Sequence, residues 1–231
     1  MERQVTELST TPRARHNKSA FAAPRVFRAR AVSDLLLGPA ASRSDAALAL
    51  GSAVVLTSVT MGFACGKADW SAVQWVGATL LAFDLFGGVA VNASSAARSY
   101  FFRAGRTTRH HLVFVVLHVV HVAAFSWLFR EGDPVFTAVV GTGLLVSALG
   151  ILVTPVHARR PVAMLFMTLG TVLSLAAEDP VSGMEWFIPV LLTKLLVCYL
   201  LGDVPAAPEP APARPLRLAG PTASHRQVRH P

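Results

Sequence analysis

Six stretches of this chain carry at most one formal charge each, and most are long enough to cross a lipid bilayer as a helix. Ala46 to Gly66, Pro134 to Ala158 and Pro161 to Ala177 hold none; Leu112 to Phe129 holds none but contains His118 and His121. Trp70 to Ala97 holds only Asp84, and Trp186 to Gly202 only Lys194. A hydrocarbon core takes about 20 apolar residues in helical form. A membrane β-barrel would instead show alternating segments of about 10 residues, and runs such as VFVVLHVVHVAAF do not alternate. The pattern therefore predicts an all-α, polytopic integral membrane protein, a bundle of six transmembrane helices at about 46–66, 70–95, 111–129, 134–156, 161–178 and 185–202.

Composition agrees. Hydrophobic residues make up 53% of the 231 and charged residues 15%, whereas soluble domains run at about 45–50% and about 25%. With two cysteines, one in the first predicted helix and one in the last, a disulfide scaffold is excluded and no CxxC redox motif exists.

The net charge of +8 becomes an orientation once it is mapped. Eighteen of the 21 Lys and Arg fall in the N-terminal arm, the second and fourth loops and the C-terminal tail. Lys67 and Arg130 lie in the alternate loops, where Asp69, Glu131, Asp133, Glu178, Asp179 and Glu185 also fall. Positive loops stay cytoplasmic, so both termini are expected there, in a multi-pass protein of a bacterial inner (plasma) membrane.

The arm, residues 1–43, is rich in Arg, Ser, Ala and Pro. Its composition resembles a transit peptide, but the simpler expectation is a basic disordered segment near anionic lipid head groups, where each charge is worth about 1 kcal/mol. The basic residues are not interleaved with aromatics as nucleic-acid binding would want, so the expected partners are the bilayer and its anionic head groups, with no nucleic acid. Residues 44–203 form the transmembrane domain, and 204–231, rich in Pro and Ala, a solvated tail.

Small residues mark where membrane helices pack closely. Gly77, Asp84, Gly88, Asn92 and Ser95 share a face of the second predicted helix, Gly143, Ser147 and Gly150 one of the fourth, and Thr168, Thr171 and Ser174 one of the fifth. Asp84 should thus point at other helices and away from lipid. No internal repeat of the transporter kind is found.

Ionisable groups inside spanning segments are costly and are candidates for function. Asp84, His118, His121 and Lys194 all fall within about one helical turn of the midplane at 1.5 Å rise per residue. Counting outward from Gly105, Asn92 comes level with His118 and Gly88 with His121, and Asp84 lies a turn deeper. His111, two turns before His118, would extend a polar track from the cytoplasm through Asn92 and His118 to Asp84.

Three functions compete with a purely structural Asp84–Lys194 pair. A carboxylate between an ammonium and imidazoles can load and release protons, as a small transporter or cation-handling protein would. Asp84, His118 and His121 supply three ligands of a kind a divalent metal accepts, which would suit a membrane-embedded enzyme acting on a lipid-soluble substrate. The third is an assembly protein without chemistry. The spacing of HVVH matches neither the clustered histidine boxes of di-iron oxygenases nor the HExxH of zinc proteases.

Overall fold

A computed structural model describes residues 41–177 and 180–202; the predicted arm up to residue 40, the tail from 203, and Glu178 and Asp179 lie outside the described residues. Every element within them is helical: α1 (Arg43–Cys65), α2 (Ala72–Ala93), α3 (Ser95–Phe101), α4 (Thr108–Phe129), α5 (Pro134–Val153), a single 3₁₀ turn (Val156–Ala158), α6 (Arg159–Leu175) and α7 (Phe187–Leu192), which runs straight on into a widened π-helical stretch, Thr193–Tyr199.

Local chemistry sets these bounds. Ser42 and Asp45 form a reciprocal capping box at the start of α1, and Ser71 and Gln74 do the same for α2. Each box satisfies amides that the first helical turn leaves without partners. Asp133 caps α5, its carboxylate accepting from the Val135 and Phe136 amides at 2.9 and 3.0 Å, with Pro134 in the first-turn position where a missing N–H costs nothing. Pro155 disfavours helical geometry at Thr154, so α5 stops at Val153 rather than at 156.

Four helices, α1, α2, α4 and α5, are long and apolar enough to span a membrane, as a multi-pass membrane protein requires. The fifth predicted span is a 17-residue helix, α6. The sixth is shorter than expected: α7 and its continuation cover Phe187–Tyr199 instead of 185–202.

The shortest of these sits at the centre. Phe187, Leu191, Leu195, Leu196 and Leu200 are each 0–1% exposed. Around them α2 packs on one side and α6 on another, with α5 touching more lightly. Small residues allow the approaches: a Cβ at Gly170 would strike Leu192, one at Gly150 the Phe166 ring, and Gly87 lies against Ala53 of α1. In lipid such van der Waals contact drives helix association.

Several predicted packing faces are corrected. On α5 the close contact to α4 is made by Gly141, against Val119, while Gly143 has open space beside it; on α6 Thr168 is exposed and Gly170 makes the contact. Spacing places residues on a shared stripe, but neighbouring helices cross at an angle and touch only part of it.

Candidate functional site

The site is built on α2, α4 and the π-helical stretch after α7. Asp84 lies midway along α2 and His121 in the second half of α4, two helices that run antiparallel. Asp84 Oδ2 accepts from Lys194 Nζ at 2.6 Å and from His121 Nε2 at 2.9 Å. Lys194 Nζ also donates to the Asp84 backbone carbonyl at 3.3 Å. The ammonium reaches that carbonyl because residue 88, one turn further along α2, is glycine: a Cβ there would overlap the end of the Lys194 side chain. Asn92, a further turn on, donates from Nδ2 to the Lys194 carbonyl at 3.4 Å. One face of α2 thus holds both the side chain and the backbone of residue 194.

The widening of the last helix takes part. Leu200 N–H donates to the Leu195 carbonyl, five residues back, at 3.0 Å; π segments of this kind occur frequently at functional sites. Lys194 and Tyr199 are five residues apart, about 140° around a regular α-helix, and widening brings them nearer one face. Tyr199 Oη pairs with His111 Nδ1 at 3.0 Å. Its ring stacks on Phe114 with centroids 4.0 Å apart, Phe114 meets His118 at 4.6 Å, and His118 stacks on His121 at 5.0 Å with planes 9° apart. A column of four rings therefore joins Tyr199 to the imidazole that holds Asp84.

The hydrogen bonds assign tautomers. His118 Nδ1 lies 2.8 Å from the Phe114 carbonyl, an acceptor only, so Nδ1 carries the proton and a neutral ring keeps its lone pair on Nε2. By the same reasoning His121 donates from Nε2 to Asp84, and its Nδ1 is buried with no hydrogen-bond partner.

All six sequence candidates lie on or beside this assembly, with corrections to the arrangement. Asp84 is level with His121 rather than a turn deeper, and Asn92 bonds to the last helix rather than facing His118. Counting from Gly105 treats the connection as a simple hairpin. In fact α2 breaks at Ser94, whose hydroxyl caps α3, and the seven residues of α3 shift the register. The track from His111 passes through Tyr199 and the rings, a residue that composition and spacing did not single out; the aromatic spaced five after Lys194 was its only signal. Nor does Asp84 turn away from the surface. Its side chain is 51% exposed, against 5% for Lys194, because α2 lies against α1 and the last helix and only lightly against α4. The carboxylate forms the open edge of a buried cluster.

The proposed ligand trio is only partly assembled. His121 meets Asp84 and stacks on His118, but among the described residues no three His, Cys, Asp or Glu side chains are placed to hold a metal ion. Cys65 and Cys198 are both free thiols. No protein-family model, curated protein or solved structure matches this chain.

Proposed function

We propose that this chain crosses the membrane six times with both ends cytoplasmic, its basic arm and loops against anionic head groups, and that it passes protons or small cations through the Asp84–Lys194–His121 cluster. The observation that carries this reading is the sharing of one carboxylate oxygen by an ammonium and an imidazole at mid-depth, with the carboxylate open on one side.

With His121 neutral, Asp84 and Lys194 cancel. A proton taken up at His121 Nδ1 places two cations on one carboxylate in surroundings of low dielectric, where their repulsion is poorly screened. Loss of the proton from Lys194 Nζ restores neutrality, so one proton leaves for each that enters. A small cation reaching Asp84 from its open edge would compete with Lys194 in the same way.

Six crossings draw support from α6 and the last helix: at 1.5 Å per residue the former is about 25 Å long, near the thickness of the hydrocarbon core, and the latter packs into the bundle with none of its residues exposed. The test is proton or cation flux in vesicles holding the purified protein, with a pH-sensitive dye inside. Flux that disappears in Asp84→Asn while the protein stays folded is the expected result. Equal flux from wild type, variant and empty vesicles would leave the cluster a purely structural one. A reporter fused after Gly202 and found outside the cytoplasm would overturn the orientation.

A further inference from the structure

Away from the buried cluster, the surface end of α4 carries a second site. A cavity of about 410 Å³ opens between α3 and α4, with Tyr100 and Tyr199 in its wall and Arg106, Arg109 and His110 at its mouth. The volume falls in the range of small-ligand sites.

The charge at this mouth is uncompensated. No Asp or Glu occurs between Asp84 and Glu131, and among the described residues none of the three basic groups forms an ion pair. Arg109 and His110 lie in the first turn of a 22-residue helix, whose dipole already presents partial positive charge there. His110 is also oriented as a donor. The Thr107 amide donates to its Nδ1 at 3.2 Å, so Nδ1 carries a lone pair and Nε2 the proton. Guanidinium groups and an imidazole N–H are what a phosphate recognises.

The other end of the cavity is apolar. Val113 and Leu117, one turn apart on α4, line it and are 51% and 61% exposed. They continue the site down the helix towards the hydrocarbon core. A free phosphate would fill the mouth and leave that wall bare; a molecule with a phosphate head and an alkyl tail covers both.

We propose that the cavity binds a phosphate-headed amphiphile from the membrane, its phosphate held by Arg106, Arg109 and His110 and its chain lying along Val113 and Leu117. The proposal rests on α4 crossing the bilayer and not on ion movement through Asp84. Because Tyr199 shares the cavity wall and pairs with His111, occupancy of this site touches the outer end of the ring column.

The test is thermal unfolding of the full chain in maltoside micelles, titrated separately with dodecyl phosphate, inorganic phosphate and dodecanol. Dodecyl phosphate is expected to raise the unfolding temperature along a saturable curve, with the other two having little effect. In Arg106→Gln/Arg109→Gln the half-saturating concentration should rise about thirtyfold, from two lost charge contacts. Arg43→Gln/Arg160→Gln, which removes the same net charge elsewhere, should leave it unchanged. Both pairs are on the surface, and circular dichroism of each variant checks its fold. Equal saturation by inorganic phosphate, equal saturation by dodecanol, or the same response from both variants would each overturn the site.

Discussion

α1 and the last helix look alike in composition and behave as opposites. α1 is 23 residues long, regular and capped, and Val54, Val55, Val59 and Phe63 along it are about half exposed or more. The last helix is 13 residues long, widened in its second half, with every residue buried or half-buried. The exposed apolar face of α1 suits lipid, where Leu and Val are as comfortable as in a protein core and contribute little to association. The last helix is packed among its neighbours with none of its residues exposed and carries an ammonium that Asp84 neutralises. Length and hydropathy together pick out α1 as a span; by length they pass over the helix on which the bundle is organised.

This contrast can be broken most directly at Lys194. Lys194→Ala removes the ammonium bonded to Asp84 and leaves the carboxylate without its cation, a change that costs about 3–5 kcal/mol where such pairs are buried. The open edge of Asp84 should place the loss at the lower end of that range, measured as the unfolding midpoint in detergent. The double change Lys194→Met/Asp84→Asn should recover much of it, since no charge is then left uncompensated.

Next comes the apolar comparison. Leu195→Ala in the central helix should cost about 2–5 kcal/mol through the cavity it leaves. Val55→Ala on α1 should stay within about 0.5 kcal/mol. Similar losses at the two positions would show that α1 is covered by protein rather than by lipid.

Gly88→Ala tests the approach of the two regions without removing a charge. The added methyl displaces Lys194 from Asp84 and overpacks the contact, at about 1–3 kcal/mol. If the cluster moves protons, flux should fall as far as in Asp84→Asn although every ionisable group remains.

The smallest effect is expected at Asp133, beyond the spanning segments. The Phe136 amide, with help from Val135 and the Arg130 guanidinium, holds its carboxyl below the usual carboxylate range. A carboxyl whose value is lowered by folding stabilises above its unfolded value, and that contribution is lost as pH falls through the folded one. The protection of amides at the start of α5, taken relative to their intrinsic exchange rate at each pH, should therefore fall in acid. In Asp133→Asn, which caps without titrating, it should not.

Much of the fold was legible in the one-dimensional pattern, for a physical reason. Water is absent from the bilayer core, so backbone groups there must bond within a helix and side chains must be apolar. That confines charge to helix ends and exposes each exception. Asp84, His118, His121 and Lys194 stood out because so little else inside the spans is polar. The break at Ser94, the cap on α3 and the widening after Lys194 were not legible, since each trades local regularity for contacts between residues distant in sequence. Tyr199 carried no signal beyond its spacing five residues after Lys194.

The sequence by itself determined that this is an all-helical chain with helices able to cross a membrane, and which ionisable groups lie within them, because the cost of polarity in lipid is paid residue by residue. Only the tertiary structure decided that the shortest apolar helix is the central one, that one oxygen of Asp84 serves both Lys194 and His121, and that this carboxylate stands at an open edge. Those depend on crossing angles, on where small residues let backbones approach and on a register reset by α3, quantities that arise only when the helices pack.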